Sequence, residues 1–359
     1  MNLQSAEPDA PFESVLETLL DDTSTIEPQL ISRLSDLEGE SHQKIRALWP
    51  RISLERRLAL LEDMDSLVEE NHIFSFEGIS KIAIDDDNPQ VRFLAVRSLA
   101  IYETTELIPD LLQRVENDQD LNVRAVCAFS LGKFAHLAEL DQLPAHTKNS
   151  IQACLFNIVN GDDEDIVRCQ ALESLGFITH IELPTIIREA FESGDTSWQA
   201  SALCAMGRSC DSRWAPQVEV MLENPLPLLR IEAVRAAGEL TLSSTKSQLL
   251  ELLDDSISEI RLAAIWALSQ IGGEDTGPAI HRLLDDEVTS EEEELIQQAL
   301  ERLDFLEEGI NLAMFDLPYT DDEIILDDYD YQQDGYDDDF DEDDIGLEDF
   351  DFDDDLWLE

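Results

Sequence analysis

The sequence predicts an all-α protein: a right-handed α-solenoid of stacked helix pairs, followed by a disordered acidic C-terminal tail. Three observations predict it. A local pattern recurs about every 31 residues, apolar residues fall at helical spacing inside each copy, and residues 309–359 hold 22 acids and no Lys or Arg. The pattern centres on an arginine. Arg92, Arg124, Arg168, Arg230 and Arg261 each follow an aliphatic residue (Val91, Val123, Val167, Leu229, Ile260). Asp or Asn stands six residues before each of them (Asp86, Asp118, Asp162, Asn224, Asp255). Leu or Ala lies seven residues after, and Gly eight after in three copies (Gly132, Gly176, Gly238). A degenerate copy sets Gln199 in the arginine slot and Gly207 in the glycine slot, giving steps of 32, 44, 31, 31 and 31 residues. A fixed period of this size marks units that cannot bury an apolar face alone and therefore stack.

In chain order, residues 1–11 read as a flexible leader. Residues 12–74 read as divergent helical repeats forming an N-terminal cap, with helices clearest over 40–49 and 54–70. Residues 75–308 form the repeat array, and residues 244–272 show its unit. An apolar helix over 247–253 stops at Asp254-Asp255, and Ser256 with Glu259 has the form of a capping box. Ile260, Ala263, Ala264, Ala267, Leu268 and Ile271 follow at helical spacing until Gly272-Gly273 ends the helix. Asn88-Pro89 is an equivalent entry signal, cap followed by first-turn proline. Small residues in the second helices (Ala95, Ala125, Ala128, Ala171, Ala202, Ala233, Ala236, Ala263, Ala264) allow close stacking. The 44-residue step predicts a loop insertion at 137–149. Residues 290–306, with Glu291 to Glu294 replacing the arginine motif, read as a polar terminal cap.

The Asp-x5-Arg-x7-Gly pattern resembles the short HEAT repeats called phycobilisome-lyase HEAT-like repeats, over about residues 75–272. The resemblance implies a ladder of bonds between successive copies. Asp86, Arg92, Asp118, Arg124, Asp162, Arg168, Arg230, Asp255 and Arg261 would then be structural, with an interruption at Gln199. It also brings two enzymatic relatives into view. In the deoxyhypusine hydroxylase type, repeated His-Glu dipeptides hold iron, but none of the six histidines here is followed by Glu. A bilin lyase-like or other accessory role stays open as an alternative reading, on fold analogy.

Charge narrows the partners. With 81 acids against 23 bases, a net charge of −58, direct binding to nucleic acid or to anionic membrane is disfavoured, and a protein partner with a basic surface is expected. The tail sets Phe315, Tyr329, Tyr331, Tyr336, Phe340, Phe350, Phe352 and Trp357 among acids. Acid-flanked aromatics suit a segment that is disordered alone and folds onto a partner, or that mimics nucleic acid on a basic one; the plain alternative is a solubilising extension. Five cysteines without a CxxC pair read as small buried hydrophobes in a reducing compartment. The first residues lack the features of a signal peptide, and no apolar run approaches the roughly 20 residues of a membrane span, so a cytoplasmic location is expected. The functional expectation is a non-catalytic interaction scaffold without cofactor or metal, its oligomeric state open.

Overall fold

The structure is a computed structural model that describes residues 12–315, apart from 23–24, 71–72, 274 and 286–288. The described residues form helices joined by short turns and contain no strand. Contacts divide the chain into residues 1–300 and 301–359. The first helices are α1 (Phe12–Leu19), α2 (Pro28–Ile31), α3 (Gly39–Leu48) and α4 (Leu54–Glu70). The pairs α5 (Glu77–Ala83) with α6 (Pro89–Leu99), α7 (Ile108–Asn117) with α8 (Leu121–Glu139) and α9 (Ala145–Val159) with α10 (Asp165–Leu175) follow. Then come α11 (Leu183–Glu192) with α12 (Thr196–Arg208), α13 (Ala215–Met221) with α14 (Pro227–Glu239) and α15 (Lys246–Leu252) with α16 (Ser258–Ile271). The chain continues through α17 (Thr276–Arg282) and α18 (Ser290–Phe315). No helix among the described residues is long and apolar enough to cross a membrane.

Local chemistry sets the helix starts. Asn88, Asp120 and Asp195 each accept two backbone N–H bonds at the entrance of α6, α8 and α12, satisfying donors that a helix leaves open. The capping box expected at Ser256 does not form. The Asp255 carboxylate instead accepts from the Ile257 amide at 2.9 Å, which leaves Ser256 outside the cap. A true reciprocal box lies one copy later, between Thr289 and Glu292, each accepting from the other's amide at 3.1 Å. Gly272 and Gly273 end α16 at φ 68° and 107°, as their position after the apolar stripe predicted. The long step is not a loop: it is absorbed by α8 and α9, which run 19 and 15 residues with only 140–144 between them. Apolar spacing simply continues through Phe134, Ala135 and Ala138, all buried.

One register recurs in the stack. The residue in the glycine slot of one second helix lies against a small residue six places after the arginine slot of the next. A Cβ on Gly176 would stand 2.9 Å from the Ala205 Cα, one on Gly207 3.0 Å from Ala236, and one on Gly238 2.9 Å from Ala267. Gly132 meets Ser174 in the same way. A helical glycine costs about 1 kcal/mol relative to alanine, so its repetition in mid-helix marks a place where backbones must nearly touch. The helices α6, α8, α10, α12, α14 and α16 consequently pack in succession on one another, whereas the first helices of neighbouring pairs touch sparsely. Each second helix also packs on the first helix of its own pair. Ile79, Val91, Val123, Leu131, Leu155, Leu172, Val218, Leu249 and Ile260 fill the continuous core between the two layers.

Four cysteines are buried in this core as expected. Cys210 is exposed, because it lies past the end of α12 at φ 49° rather than on a helix. The glycine register gives a signed test. Gly176→Ala is expected to destabilise the protein by about 1–2 kcal/mol after the helix-propensity gain is subtracted, whereas Gly277→Ala, with open space around it, gains up to about 1 kcal/mol. Denaturation midpoints of the two variants measure it, and shifts of the same sign would refute the close-approach account.

Candidate functional site on the second-helix face

The arginine ladder runs from each copy to the next. The Arg92 Nε and Nη2 donate to the two carboxylate oxygens of Asp118 at 2.9 and 2.7 Å, and its Nη1 donates to the Asp86 carbonyl at 2.9 Å. Arg230 reaches the Asp255 carboxylate at 3.3 Å and the Asn224 carbonyl at 3.0 Å. Arg261 holds the Asp255 carbonyl at 3.0 Å and the Glu292 carboxylate at 2.5 Å. Each guanidinium thus ties the turn of its own pair to the acid of the following one. The acid also shapes that turn: Asp86 accepts from the Asn88 amide and Asp118 from the Asp120 amide. Burial opposes ionisation of Asp118, but the Arg92 bond, the Asp120 amide and the Arg92 and Arg114 charges hold its carboxyl below the usual range.

Two rungs were not legible beforehand. Arg57, three residues into α4, donates to Asp86, so the repeat law begins one pair earlier than its sequence pattern shows. Glu292 supplies the final rung from its capping box. One predicted rung is wrong. Asp162 is exposed, and Arg124 bonds Asp163 instead, at 2.9 and 2.6 Å. The reason lies in Arg168, which donates to the Val159 carbonyl rather than to the carbonyl six residues earlier, so this turn is not clamped as the others are. Arg168 also bonds Asp165 and lies over the Trp198 ring at 4.8 Å. It takes no part in the ladder. Gln199 likewise turns back to the Phe191 carbonyl. The interruption foreseen at Gln199 therefore extends over two copies, because Ser193 and Asn224 stand where the receiving acids would be.

In that gap the second-helix face carries a different set of charges. Glu173 of α10, Arg208 of α12, and Glu232, Arg235 and Glu239 of α14 occupy positions two, five or nine residues after the arginine slot. The Ser201 hydroxyl donates to Glu173 at 2.6 Å, and Arg235 pairs with Glu232 at 3.0 Å. Arg208 is buried, its guanidinium 4.9 Å from the Phe177 ring centre. The Glu239 carboxylate lies against Gly207, where no side chain would leave it room, and the Trp266 ring covers Gly238. Glu173, Glu232 and Glu239 are half-buried by exposed area, yet Glu173 and Glu239 are crowded by neighbouring helices. Burial pushes the Glu239 carboxyl up to about 7, against the pull of Arg208 and with the help of Glu232. Glu173 is raised by burial too, opposed by Arg208 and by the Ser201 bond. The Cys204 thiol below them is pushed well above its usual value by burial. Periodicity could not find this cluster because it does not repeat; its one signal was charged residues in helices otherwise built of Ala and Leu.

Phe315 ends α18, and Tyr329, Tyr331, Tyr336, Phe340, Phe350, Phe352 and Trp357 lie outside the described residues.

Residues 76–151 and 214–301 match the family model described as HEAT repeats, so the chain carries HEAT repeats in those two stretches. No curated protein matches it in sequence. Among solved structures it is similar to the CpcE–CpcF complex of phycocyanin lyase from a Nostoc species, at 17% identity, covering 63% of this chain and 94% of that one, with a TM-score of 0.45. Human deoxyhypusine hydroxylase is similar at 16% identity, over 72% and 95% of the two chains, TM-score 0.33. Importin beta is similar at 13% identity, over 84% and 48%, TM-score 0.41.

Two measurements follow from the geometry. Asp163→Ala is expected to cost about 1–3 kcal/mol, since it strands the Arg124 guanidinium, while Asp162→Ala stays within about 0.5 kcal/mol. Equal denaturation midpoints for the two variants would refute the assigned register. For Glu239, the folded carboxyl lies above its unfolded value of 4.5, so the folded state binds the extra proton between pH 4.5 and about 7. Its contribution to stability accordingly falls as pH rises through that window, with a slope of at most about 1.4 kcal/mol per pH unit. Glu239→Gln should flatten the pH dependence there; an unchanged slope would contradict the assignment.

Proposed function

We propose that this chain is a non-catalytic scaffold that holds a protein with a basic surface along its second-helix face, with the acidic residues of 309–359 as a second contact. The observation that carries this reading is the division of labour between repeated and unrepeated residues. Those that recur, the arginines, their acids and the glycines, are consumed inside the stack. Those that do not recur, the buried Arg208 apart, stand half-exposed on the second helices and their ends, acids and aromatic rings among them. A net charge of −58 gives long-range attraction to a basic partner, and fixed side chains on a rigid face would supply specificity. Burial keeps the Cys127, Cys154, Cys169 and Cys204 thiols protonated, which supports a packing role for them over nucleophilic chemistry. Free cysteines throughout fit a reducing, cytoplasmic setting.

The test is a pull-down from cell lysate at low and moderate salt, with the full chain and with a form lacking 309–359. Basic proteins should be retained, less so as salt rises, and retention should weaken without the tail. Failure to retain any basic protein would overturn the proposal. Retention that ignores the deletion would remove the tail from it. Competition of a retained partner with DNA or RNA would mark the tail as a nucleic-acid mimic.

A further inference from the structure

The ladder divides the stack into two tied halves. In one, Arg57 reaches Asp86, Arg92 reaches Asp118 and Arg124 reaches Asp163. In the other, Arg230 joins the turn of Asn224 to Asp255, and Arg261 joins that turn to Glu292. Two successive seams lie between them, α10 to α12 and α12 to α14, and neither carries a rung: Arg168 and Gln199 both turn back to the helix before them. The first helices do not make good the loss. Elsewhere they bond across copies. Arg114 of α7 reaches Asp85 at 2.6 Å, Gln248 of α15 donates to Glu223 just past α13 at 3.1 Å, and Arg282 of α17 reaches Asp254 at 3.2 Å. Among the described residues no hydrogen bond or ion pair joins α11 to α9 or to α13.

The links of the α11–α12 pair to its neighbours therefore run through α12. They are the close approaches at Gly176 and Gly207, the Ser201–Glu173 bond at 2.6 Å, and two ring contacts, Arg168 over Trp198 and Arg208 over Phe177. Of these, the Arg168–Trp198 contact lies at the start of its helix, where the rung is missing. A two-bond carboxylate contact fixes both position and angle, whereas a guanidinium can shift across a ring and keep its attraction.

We propose that the α11–α12 pair is a hinge between two ladder-tied halves, with the packed second helices as its axis and the turn edge as the side that opens. The inference goes beyond the scaffold reading and does not depend on it. Close backbone contact holds the axis, and no rung resists opening at the edge. Glu173, Arg208 and Glu239 stand on α10, α12 and α14, the three helices that meet at the two seams. A bend changes their spacing, so a partner touching all three favours one bend over the others. The gap is also chemically shallow. The Ser193 hydroxyl and the Asn224 side-chain oxygen already accept the Asp195 and Leu226 amides at 3.2 and 2.9 Å, as Asp86 and Asp118 accept amides in the tied turns. Aspartate at both positions, with arginine at 199, would complete both rungs and leave these turn bonds in place.

Distances between paired spin labels on the full chain read the hinge. Cys210 is the exposed thiol and the other four are buried, so labels go on cysteines introduced into a Cys210→Ser background. Asp162→Cys with Leu226→Cys spans the two open seams, and Asp87→Cys with Asp162→Cys spans two tied ones; all three residues are exposed. The open-seam labels should give a distance distribution at least roughly twice as broad as the tied-seam labels. Ser193→Asp with Gln199→Arg and Asn224→Asp should narrow the former to the width of the latter. Arg92→Gln, which puts the glutamine of the gap into a tied seam, should broaden the tied-seam distribution. Helicity confirms that each variant is folded. Equal widths for the two label pairs overturn the hinge, and so does an open-seam width unchanged in the folded ladder-completed variant. Should that variant fail to fold, Arg92→Gln decides, and an unbroadened tied-seam distribution overturns the proposal. Each of these outcomes leaves the scaffold reading to its own pull-down.

Discussion

A guanidinium placed between two helix pairs has to be satisfied from both sides, and the rest of the stack is arranged around that demand. Arg92 shows how: its own turn offers a carbonyl, and the next turn offers a carboxylate shaped for a two-bond contact. The same carboxylate also accepts an amide of its own turn, so one acid fixes both the local corner and the spacing to the previous copy. The constraint is local in chemistry and global in effect. Where both halves are present, pairs sit in one register. Where the acid is missing, as at Ser193, the arginine turns inward to cap the preceding helix and stacks on a ring.

The glycine register explains how the stack survives that interruption. Gly176, Gly207 and Gly238 continue the close approach of second helices through the copies where the ladder fails. Backbone contact between helices is short-ranged and needs no charge, so it holds alignment where ion pairing is absent. Freed from the ladder, these copies can carry side chains that would otherwise be excluded from a tightly packed layer. Arg208 and Glu239 stand there because the glycines leave space for them. A Cβ on Gly176 would meet Arg208, and one on Gly207 would meet Glu239.

Much of this fold was legible because its rules act over short distances in sequence. Val91-Arg92 and its relatives announced the second helices, Asn88 and Gly272 their ends, and the 31-residue step the stack. What was not legible depended on contacts between copies. The choice of Asp163 over its neighbour Asp162 turns on which carbonyl Arg168 occupies, a fact no spacing encodes. Arg57 was hidden because Arg56 replaces the aliphatic residue before it and Arg51 replaces the acid six places earlier. The loop expected at 137–149 is largely helix because the polar residues that break its apolar spacing lie on the outer side of α8 and α9 or, like Glu139 with Lys148, bond one another across the turn. The charge cluster was illegible for the opposite reason: it occurs once, and only residues that recur from copy to copy stand out in the sequence.

That last point bears on where function can reside in a protein of this kind. A residue that recurs in every copy faces the same surroundings in every copy, and a partner reading it would find no unique place to bind. Specific recognition therefore has to use positions on which the copies disagree. On the second-helix face the disagreement is sharpest nine residues after the arginine slot, where Ile101, Lys133, Phe177, Arg208, Glu239 and Gln270 succeed one another. Polarity, charge and shape all change along that row while the spacing stays fixed by glycine and alanine. An extended partner laid across it would meet a different chemical demand at each step.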